Sequence, residues 1–462
     1  MRAAEIRAEE QEKSKADVKN MTEGSPFRIL LTFSLPLLAG NILQQLYNMV
    51  DSSVAGKFIG MNALGAVSNG YMIVLLITTL FSGLSVGGTV LIAQYYGKKD
   101  MEGVGRAVNS IYFGVSLLCF PLMIIGCLSA RPLLQLFRVP EEILPDAVIY
   151  VQVIFLGVPG GLGYNVNAGI LNGFGDSRTA LRFLAIACIG NLILDVIFVV
   201  VFKLGVFGTA LATILAQYVS WLLSLRHLNR AYPGVHIRIS RKYVDYPIVK
   251  KALRIGIPSS ISGLQYTVGM MLVQSLVNSY GVDFIAGVNA ASKIDGFVFM
   301  PILSFSTAVS TFAAQNMGAS RIDRVEEGTK AGLLLTTGAC AGIALLFVPF
   351  GRPLLRLLFS LTDSATETAM MYLYCVMAPS FWLSVSYVIN GTLRGAGCLL
   401  VSTISGIVAL WIVRLPAAYF LAGQFGPQWL FLSYPIGWTA GIMISGIYYL
   451  RGKWKNRRLL EE

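Results

Sequence analysis

The stretch Ala187–Phe202, ACIGNLILDVIFVVVF, decides the fold, because its apolar residues form the middle of a run long enough to cross a membrane as a helix. The same stretch contains an amide, Asn191, and a carboxylate, Asp195, four residues apart and therefore on one helical face. A charge inside the bilayer costs at least ~2.5–3.5 kcal/mol on insertion scales, so it needs a partner, water or a function. We therefore predict a membrane-spanning helix that carries a functional acid.

The composition of the whole chain agrees with a membrane location. Of 462 residues, 55% are hydrophobic and 13% are charged, and the mean hydropathy is +0.66. The net charge of +12 comes from basic residues in short loops rather than from one patch, so we expect no nucleic-acid partner. Six cysteines lie in apolar stretches without CxxC spacing, and the two histidines share one polar segment. We predict no catalytic constellation, no enzyme activity and no cofactor.

Apolar runs of about 20 residues or more predict twelve spans and an all-α integral membrane protein. The predicted spans are 28–54, 63–94, 105–128, 144–170, 179–202, 206–225, 248–278, 284–316, 329–350, 366–393, 399–422 and 429–450. The polar segment 226–247 separates the first six predicted spans from the last six. We predict an N-terminal tail at 1–25, an N-terminal lobe at 26–225, a linker at 226–247, a C-terminal lobe at 248–450 and a basic tail at 451–462.

Lysine and arginine placement predicts the orientation, because basic residues accumulate in short cytoplasmic loops. With the N-terminus inside, the cytoplasmic segments hold 28 of the 36 basic residues and the opposite side holds six. We therefore expect a multi-pass protein of a cytoplasmic membrane, with both termini in the cytoplasm.

The two halves of the sequence repeat. Pro36 precedes Gly169 by 133 residues, and Pro258 precedes Gly391 by the same number. The second landmark of each pair begins the pattern Gly-x-Leu-x-Gly-x-Gly, and the markers AQYYG (93–97) and AQNMG (314–318) lie between the landmarks. Because six spans per copy is an even number, the pattern predicts two six-helix bundles related by a pseudo-two-fold axis along the membrane normal. Such a pair of bundles is typical of alternating access.

Polar residues in the N-terminal lobe predict a cation site. Asp51 ends a polar stripe on the first span, Asn191 and Asp195 share a face of the fifth, and Thr213 lies on the sixth. Carboxylates with amide and hydroxyl neighbours suit Na⁺ or can carry protons, and two buried acids placed close together compete for one proton. The alternative is a packing role between helices. Supporting polar residues are Gln44, Asn48 and Gln217, and Tyr47 is a candidate for contact with an organic substrate.

The C-terminal lobe has a different set of charges, Lys293, Asp295 and Arg414. These three residues either neutralise one another as a structural network or take part in transport directly.

These residues resemble the multidrug and toxic compound extrusion (MATE) exporters, especially bacterial members, from about residue 21 onwards. The resemblance rests on FSLPLLAGNILQQLYNMVDSSVAGKFIG (33–60), the two AQ markers, GILNGFGDSRTA (169–180), NLILD (191–195) and GVFGTALAT (205–213). It implies a twelve-helix antiporter whose cation site matches Asp51, Asn191, Asp195 and Thr213. Many relatives have proline after the fifth-helix acid, where this chain has Val196, so the resemblance gives no reason for a kink there.

The implied function is export of amphipathic cationic small molecules in exchange for H⁺ or Na⁺ across the bacterial plasma membrane, by a monomer. The alternative is a lipid-linked oligosaccharide flippase of the same broad fold group. A flippase for a polyanionic lipid should line its cavity with several basic residues, and this chain offers Lys293 and Arg414 within its spans.

Overall fold

A computed structural model describes residues 20–232, 235–238, 240–457 and 459–460. Over these residues the chain is helical, and eight helices are long and apolar enough to cross a membrane. Two pairs of shorter helices, each bent at a short break, raise that number to ten. Two more helices, of 37 and 33 residues, have the length to span, because an α-helix rises 1.5 Å per residue. The all-α membrane fold predicted from the sequence is confirmed.

The helices are labelled in chain order so that each corresponds to one predicted span. They are α1 (Pro26–Ile59), α2 (Met61–Gly97), α3 (Met101–Leu136), α4 (Leu144–Leu156 and Val158–Gly173), α5 (Ser177–Val201), α6 (Gly205–Ala231), α7 (Tyr246–Asn278), α8 (Val282–Gly318), α9 (Ile322–Phe347), α10 (Asp363–Met377 and Ser380–Gly395), α11 (Leu399–Phe425) and α12 (Pro427–Leu450). A short helix, Gly351–Leu358, precedes α10.

The chain divides into two compact units, each described here by itself. Unit 1 contains residues 39–260, and unit 2 contains residues 21–38 together with the described residues after 260. These boundaries differ from the predicted lobes, which ended at 225 and began at 248. The reason is packing, because Leu30 and Phe33 of α1 lie in one apolar cluster with Phe312 of α8. The first part of α1 therefore belongs to unit 2, and the first part of α7 belongs to unit 1.

The contact between α2 and α7 in unit 1 depends on glycine. A Cβ atom at Gly83 would lie 2.1 Å from the carbonyl oxygen of Gly256, and one at Gly87 would lie 2.3 Å from that of Ala252. The Gly-x-x-x-Gly spacing on α2 therefore serves close packing between two helices of this chain.

The last glycine of the repeated pattern ends a helix in both units. Gly175 has φ 83° and Gly397 has φ 81°, in the left-handed region that glycine adopts without strain. The next residue, Asp176, caps α5 by accepting a hydrogen bond from the backbone nitrogen of Thr179 at 3.0 Å. At the equivalent point Cys398 precedes α11 without a side-chain cap.

The marker AQNMG anchors the segment before α1 in unit 2. Gln315 Oε1 accepts from the backbone nitrogen of Met21 at 3.1 Å, and Asn316 Nδ2 donates to the Met21 carbonyl at 3.2 Å. Arg324 donates to the carbonyl of Gly24 at 2.9 Å and to Asn316 Oδ1 at 3.2 Å. Met21, Gln315, Asn316 and Arg324 are buried, so the marker is a structural anchor for residues 21–24.

We expect the Asn316→Ala variant to release this anchor. The substitution removes one donor and one acceptor and leaves the Met21 carbonyl with fewer partners, at about 1–3 kcal/mol. Hydrogen exchange at the backbone amides of residues 22–24 should therefore accelerate. Asn278→Ala is the control, because Asn278 lies in the same unit and its side-chain bond to Gln274 is exposed. Unchanged exchange at residues 22–24 would show that the anchor does not depend on Asn316.

Candidate functional site

Asp195 lies where the regular part of α5 ends. The helix changes at Val196 into a wider π-helical turn that continues to Val201. Such turns redirect side chains and occur often at functional sites. The helix is thus irregular directly after the acid, although the sequence has valine and not proline there. Asp195 is 0% exposed and Asn191 is 2% exposed, so both side chains of this face are buried in the unit.

The structure brings Asp51 of α1 to Asp195. The two carboxyl groups lie within hydrogen-bonding reach of each other. One buried oxygen of each, Oδ1, has no hydrogen-bond partner in the part of the chain that the structure describes. Two anionic carboxylates cannot hydrogen-bond to each other, so the pair requires a shared proton or a cation between the groups. A buried polar atom without a partner is uncommon in proteins and calls for such an explanation.

Asn191 and Thr213 support the acid pair from α5 and α6. With the amide of Asn191 assigned so that Nδ2 faces Asp195, Nδ2 donates to Asp195 Oδ2 at 2.7 Å and the amide oxygen accepts from the backbone nitrogen of Thr213 at 3.0 Å. The Thr213 hydroxyl lies 3.2 Å from the same amide oxygen and 3.4 Å from the hydroxyl of Tyr47. The four residues proposed from the sequence for the cation site therefore lie together in unit 1, and Tyr47 joins them.

The predicted supporting residues are more scattered. Gln44 is exposed, and Asn48 is half-buried on the same helix. Gln217 lies against α4, because a Cβ atom at Gly161 would be 2.8 Å from its Oε1. No described contact links Gln44 or Gln217 to the acids.

Sequence reasoning missed two tyrosines beside the acids. Tyr150 of α4 is buried, packs against Gly70 of α2, and lies within electrostatic reach of Asp51, Asp195 and Tyr71.

The internal repeat of the sequence could have indicated Tyr150. Counting 222 residues onward, the spacing between Pro36 and Pro258, leads from Tyr150 to Tyr372 in the second copy. Tyr372 donates its hydroxyl hydrogen to Asp295 Oδ2 at 3.3 Å, so each unit has a tyrosine beside an acid at this position.

The charges of unit 2 separate into two groups. Asp295 and Arg414 lie within electrostatic reach of each other, and both are near Tyr372. Lys293 is exposed, because residues two apart on a helix point to different sides and Asp295 faces the interior contact with Tyr372. The predicted three-residue network is therefore an Asp295–Arg414 group, with no described contact between Lys293 and the other two residues.

Comparison with known proteins gives one consistent family. The family model MatE matches residues 36–197 and 258–420, two segments that begin at the two landmark prolines. The chain is 30% identical over 445 residues to "Probable multidrug resistance protein YpnP" of Bacillus subtilis, covering 96% of this chain and 99% of that protein. It is 25% identical to "Probable multidrug resistance protein NorM" of Thermotoga maritima, covering 93% and 94%.

Solved structures show the same twelve-helix, two-lobe fold. A crystal structure of MATE in complex with MaL6 has a TM-score of 0.87 at 22% identity and covers 95% of this chain and 99% of that one. An outward-facing multidrug resistance MATE family transporter has a TM-score of 0.86 at 23% identity, with coverage of 96% and 99%.

Proposed function

Because this chain belongs to the MatE family, we propose that it is a multidrug efflux transporter that exports amphipathic organic cations by alternating access, in exchange for H⁺ or Na⁺. It is a transport protein and not an enzyme. The flippase alternative is not favoured, because the relatives matched over most of their length are named as multidrug resistance proteins. The cytoplasmic position of both termini and the monomeric state stay predictions.

The observation that supports ion coupling is the pair of carboxyl groups at Asp51 and Asp195. The pair lies inside helices of membrane-spanning length, where acids are rare and usually functional. Each carboxyl group has a buried oxygen without a partner among the described residues, and the two groups lie within hydrogen-bonding reach of each other. A site of this kind is completed by a cation, which it can release when its surroundings change.

The contacts around the pair support H⁺ over Na⁺. The two carboxyl groups lie within hydrogen-bonding reach of each other, which is the arrangement of a shared proton. A sodium ion needs several oxygen ligands around it, whereas a proton needs only the two carboxyl groups. We therefore propose H⁺ as the coupling ion, with Na⁺ as the alternative.

Coupling to an organic cation follows from competition for negative charge. A ligand shifts a conformational equilibrium only by its different affinities for the two states. Neutralising the carboxyl pair removes the charge that attracts an organic cation, so the ion and the substrate favour different states of the transporter. By linkage, substrate binding weakens ion binding by the same factor.

The test is transport by purified protein in liposomes with one gradient imposed at a time. We expect a pH gradient to drive export of a cationic dye and a sodium gradient at equal pH to have no effect. Export driven by sodium alone would replace H⁺ by Na⁺. If neither the pH gradient nor the sodium gradient drives export, the proposed antiport is contradicted. Protein-free liposomes give the leak of the dye through the bilayer.

A further inference from the structure

An apolar groove, the α11–α12 groove, lies between these two helices of unit 2. Val401 and Ile404 from the first two turns of α11 line it on one side, and Ile444 and Ile447 from the last two turns of α12 line it on the other. Its volume is about 240 Å³. Ile404 is 47% exposed and Ile447 is 52% exposed, so the groove opens toward the outside of the unit. Since both helices are long and apolar enough to cross a membrane, we expect the open side to face lipid.

Two basic residues lie at the end of the groove where α12 stops. Arg451 directly follows α12 and Lys453 comes two residues later; both line the groove and both are exposed. Neither side chain forms an ion pair with the residues that the structure describes, whereas the next basic residue, Lys455, pairs with Glu326 of α9. The groove thus ends in two positive charges that no described acid neutralises, and such a pair attracts an anion.

The backbone holds this basic pair in a defined place. Gly452, between the two residues, has φ 67°, in the left-handed region, and turns the chain at the end of α12. Trp454 is fully buried, stacks on the ring of Tyr449 with the centroids 5.3 Å apart, and donates from Nε1 to the Tyr449 carbonyl at 3.0 Å. Because Trp454 anchors the segment, a ligand at Lys453 pays little for ordering the backbone.

The apolar and charged parts of the groove meet at Tyr448. Its side chain lines the groove, and its hydroxyl donates to Cys398 Sγ at 3.8 Å, just before α11. Tyrosine is enriched at the boundary between the hydrocarbon core of a membrane and water. Ile444 lies one helical turn before Tyr448, and Arg451 lies three residues after it. The apolar walls therefore extend toward the hydrocarbon core and the two charges toward water.

An anionic phospholipid matches both parts of the groove. Its phosphate offers oxygen acceptors and a net negative charge to Arg451 and Lys453, and an acyl chain covers the apolar walls. A zwitterionic phospholipid lacks the net charge. A soluble anion such as inorganic phosphate leaves the apolar walls uncovered, so it gains nothing from them.

We propose that the α11–α12 groove binds one anionic phospholipid, with the phosphate at Arg451 and Lys453 and an acyl chain along Ile404 and Ile447. The bound lipid contacts the start of α11 and the end of α12 and so stabilises the folded unit, as a ligand specific for the folded state does. The site does not depend on the proposed efflux function, and its test measures lipid binding rather than transport.

The experiment titrates the purified full-length protein in detergent with dioleoyl phosphatidylglycerol, which is anionic, or with dioleoyl phosphatidylcholine, which is zwitterionic. Native mass spectrometry counts the bound lipids and gives their affinities. We expect phosphatidylglycerol to bind about 25-fold more tightly, because each of two basic residues beside an anionic headgroup contributes about fivefold. Arg451→Gln or Lys453→Gln alone should lose about fivefold in affinity for phosphatidylglycerol, and the double variant should bind the two lipids equally.

Lys330→Gln is the matched control for charge, because Lys330 is an exposed lysine of the same unit, one helical turn after Glu326. Its affinity for phosphatidylglycerol should equal that of the unmodified protein. Val401→Phe keeps both charges and fills part of the groove with a ring, so it should weaken phosphatidylglycerol binding. Inorganic phosphate, added at constant ionic strength, should not displace the lipid.

Equal binding of the two lipids by the unmodified protein, or a preference that the double variant retains, would overturn the proposal. A loss in Lys330→Gln as large as that in Arg451→Gln would assign the effect to general surface charge. Full affinity in Val401→Phe, or displacement by inorganic phosphate, would indicate a phosphate site without an acyl chain and contradict the lipid. The thermal midpoint without lipid identifies a misfolded variant, and in that case the preference of the unmodified protein and its displacement by phosphate decide the result.

Discussion

Asp195→Asn should reduce gradient-driven dye efflux by about tenfold or more. The amide has nearly the shape of the carboxyl group and can still accept from Asn191 Nδ2, so the fold should be retained. The amide cannot take up a proton or neutralise a cation. The Asp51 carboxyl therefore loses the second carboxyl group with which it binds the ion. The measurement is efflux of a cationic dye from cells producing each variant at equal level, repeated in liposomes with an imposed pH gradient.

The matched control is Asp146→Asn, the same chemical change at an exposed acid in the first turn of α4 in unit 1. We expect its efflux to equal that of the unmodified protein. Asp51→Asn should resemble Asp195→Asn, because the two carboxyl groups lie within hydrogen-bonding reach of each other and each variant breaks the pair. Unchanged, gradient-dependent efflux in the Asp195 variant would remove this residue from the mechanism, and with it the proposed role of the pair.

Gly83→Ala should destabilise unit 1 by about 1–3 kcal/mol, the usual effect of overpacking. The added methyl group would lie 2.1 Å from the Gly256 carbonyl oxygen and 2.2 Å from the Ser260 hydroxyl oxygen. Because the first of these atoms belongs to a helix backbone, relief requires α2 and α7 to separate. We expect a lower thermal midpoint of the purified protein and a smaller yield of monodisperse protein on size-exclusion chromatography.

Gly338→Ala on α9 is the control for this substitution. A Cβ atom there meets no atom within 4 Å, and alanine favours a helix over glycine by about 1 kcal/mol. Its thermal midpoint should therefore be equal to or slightly above that of the unmodified protein. Equal midpoints for the Gly83 and Gly338 variants would show that α2 and α7 do not approach closely at Gly83.

The sequence predicted which polar residues lie together best where a single helix fixed the relation between them. Asn191 and Asp195 share a face because they are four residues apart, and in the structure the Asn191 amide lies 2.7 Å from Asp195 Oδ2. Asp51 was grouped with them because its polar stripe belongs to the same predicted lobe, and the resemblance to an exporter family implied the same set of residues. Tyr150 was missed because it lies on a fourth helix, in an apolar run whose rotation the sequence does not reveal.

The helix irregularities were also outside the reach of sequence rules. Val196 replaces the proline that would have predicted a kink, yet α5 forms a π-helical turn at that residue. In α11 a similar segment ends at Arg414 without proline inside it. Such turns insert a residue relative to the regular helix and depend on the packing around them. A hydropathy pattern with a period of 3.6 residues does not show where one extra residue enters the helix.

The sequence by itself determined that this is a twelve-span membrane protein built from two related halves, with acids held inside one of them. Hydropathy, loop charge and repeat spacing are local or periodic properties, and these are the properties that a bilayer selects. Only the tertiary structure decided that Asp51 meets Asp195, that Lys293 is exposed, that AQNMG anchors residues 21–24, and that one edge of Arg414 has no partner among the described residues. Each of these depends on how helices distant in sequence rotate and pack against one another, which is set by side-chain fit in three dimensions.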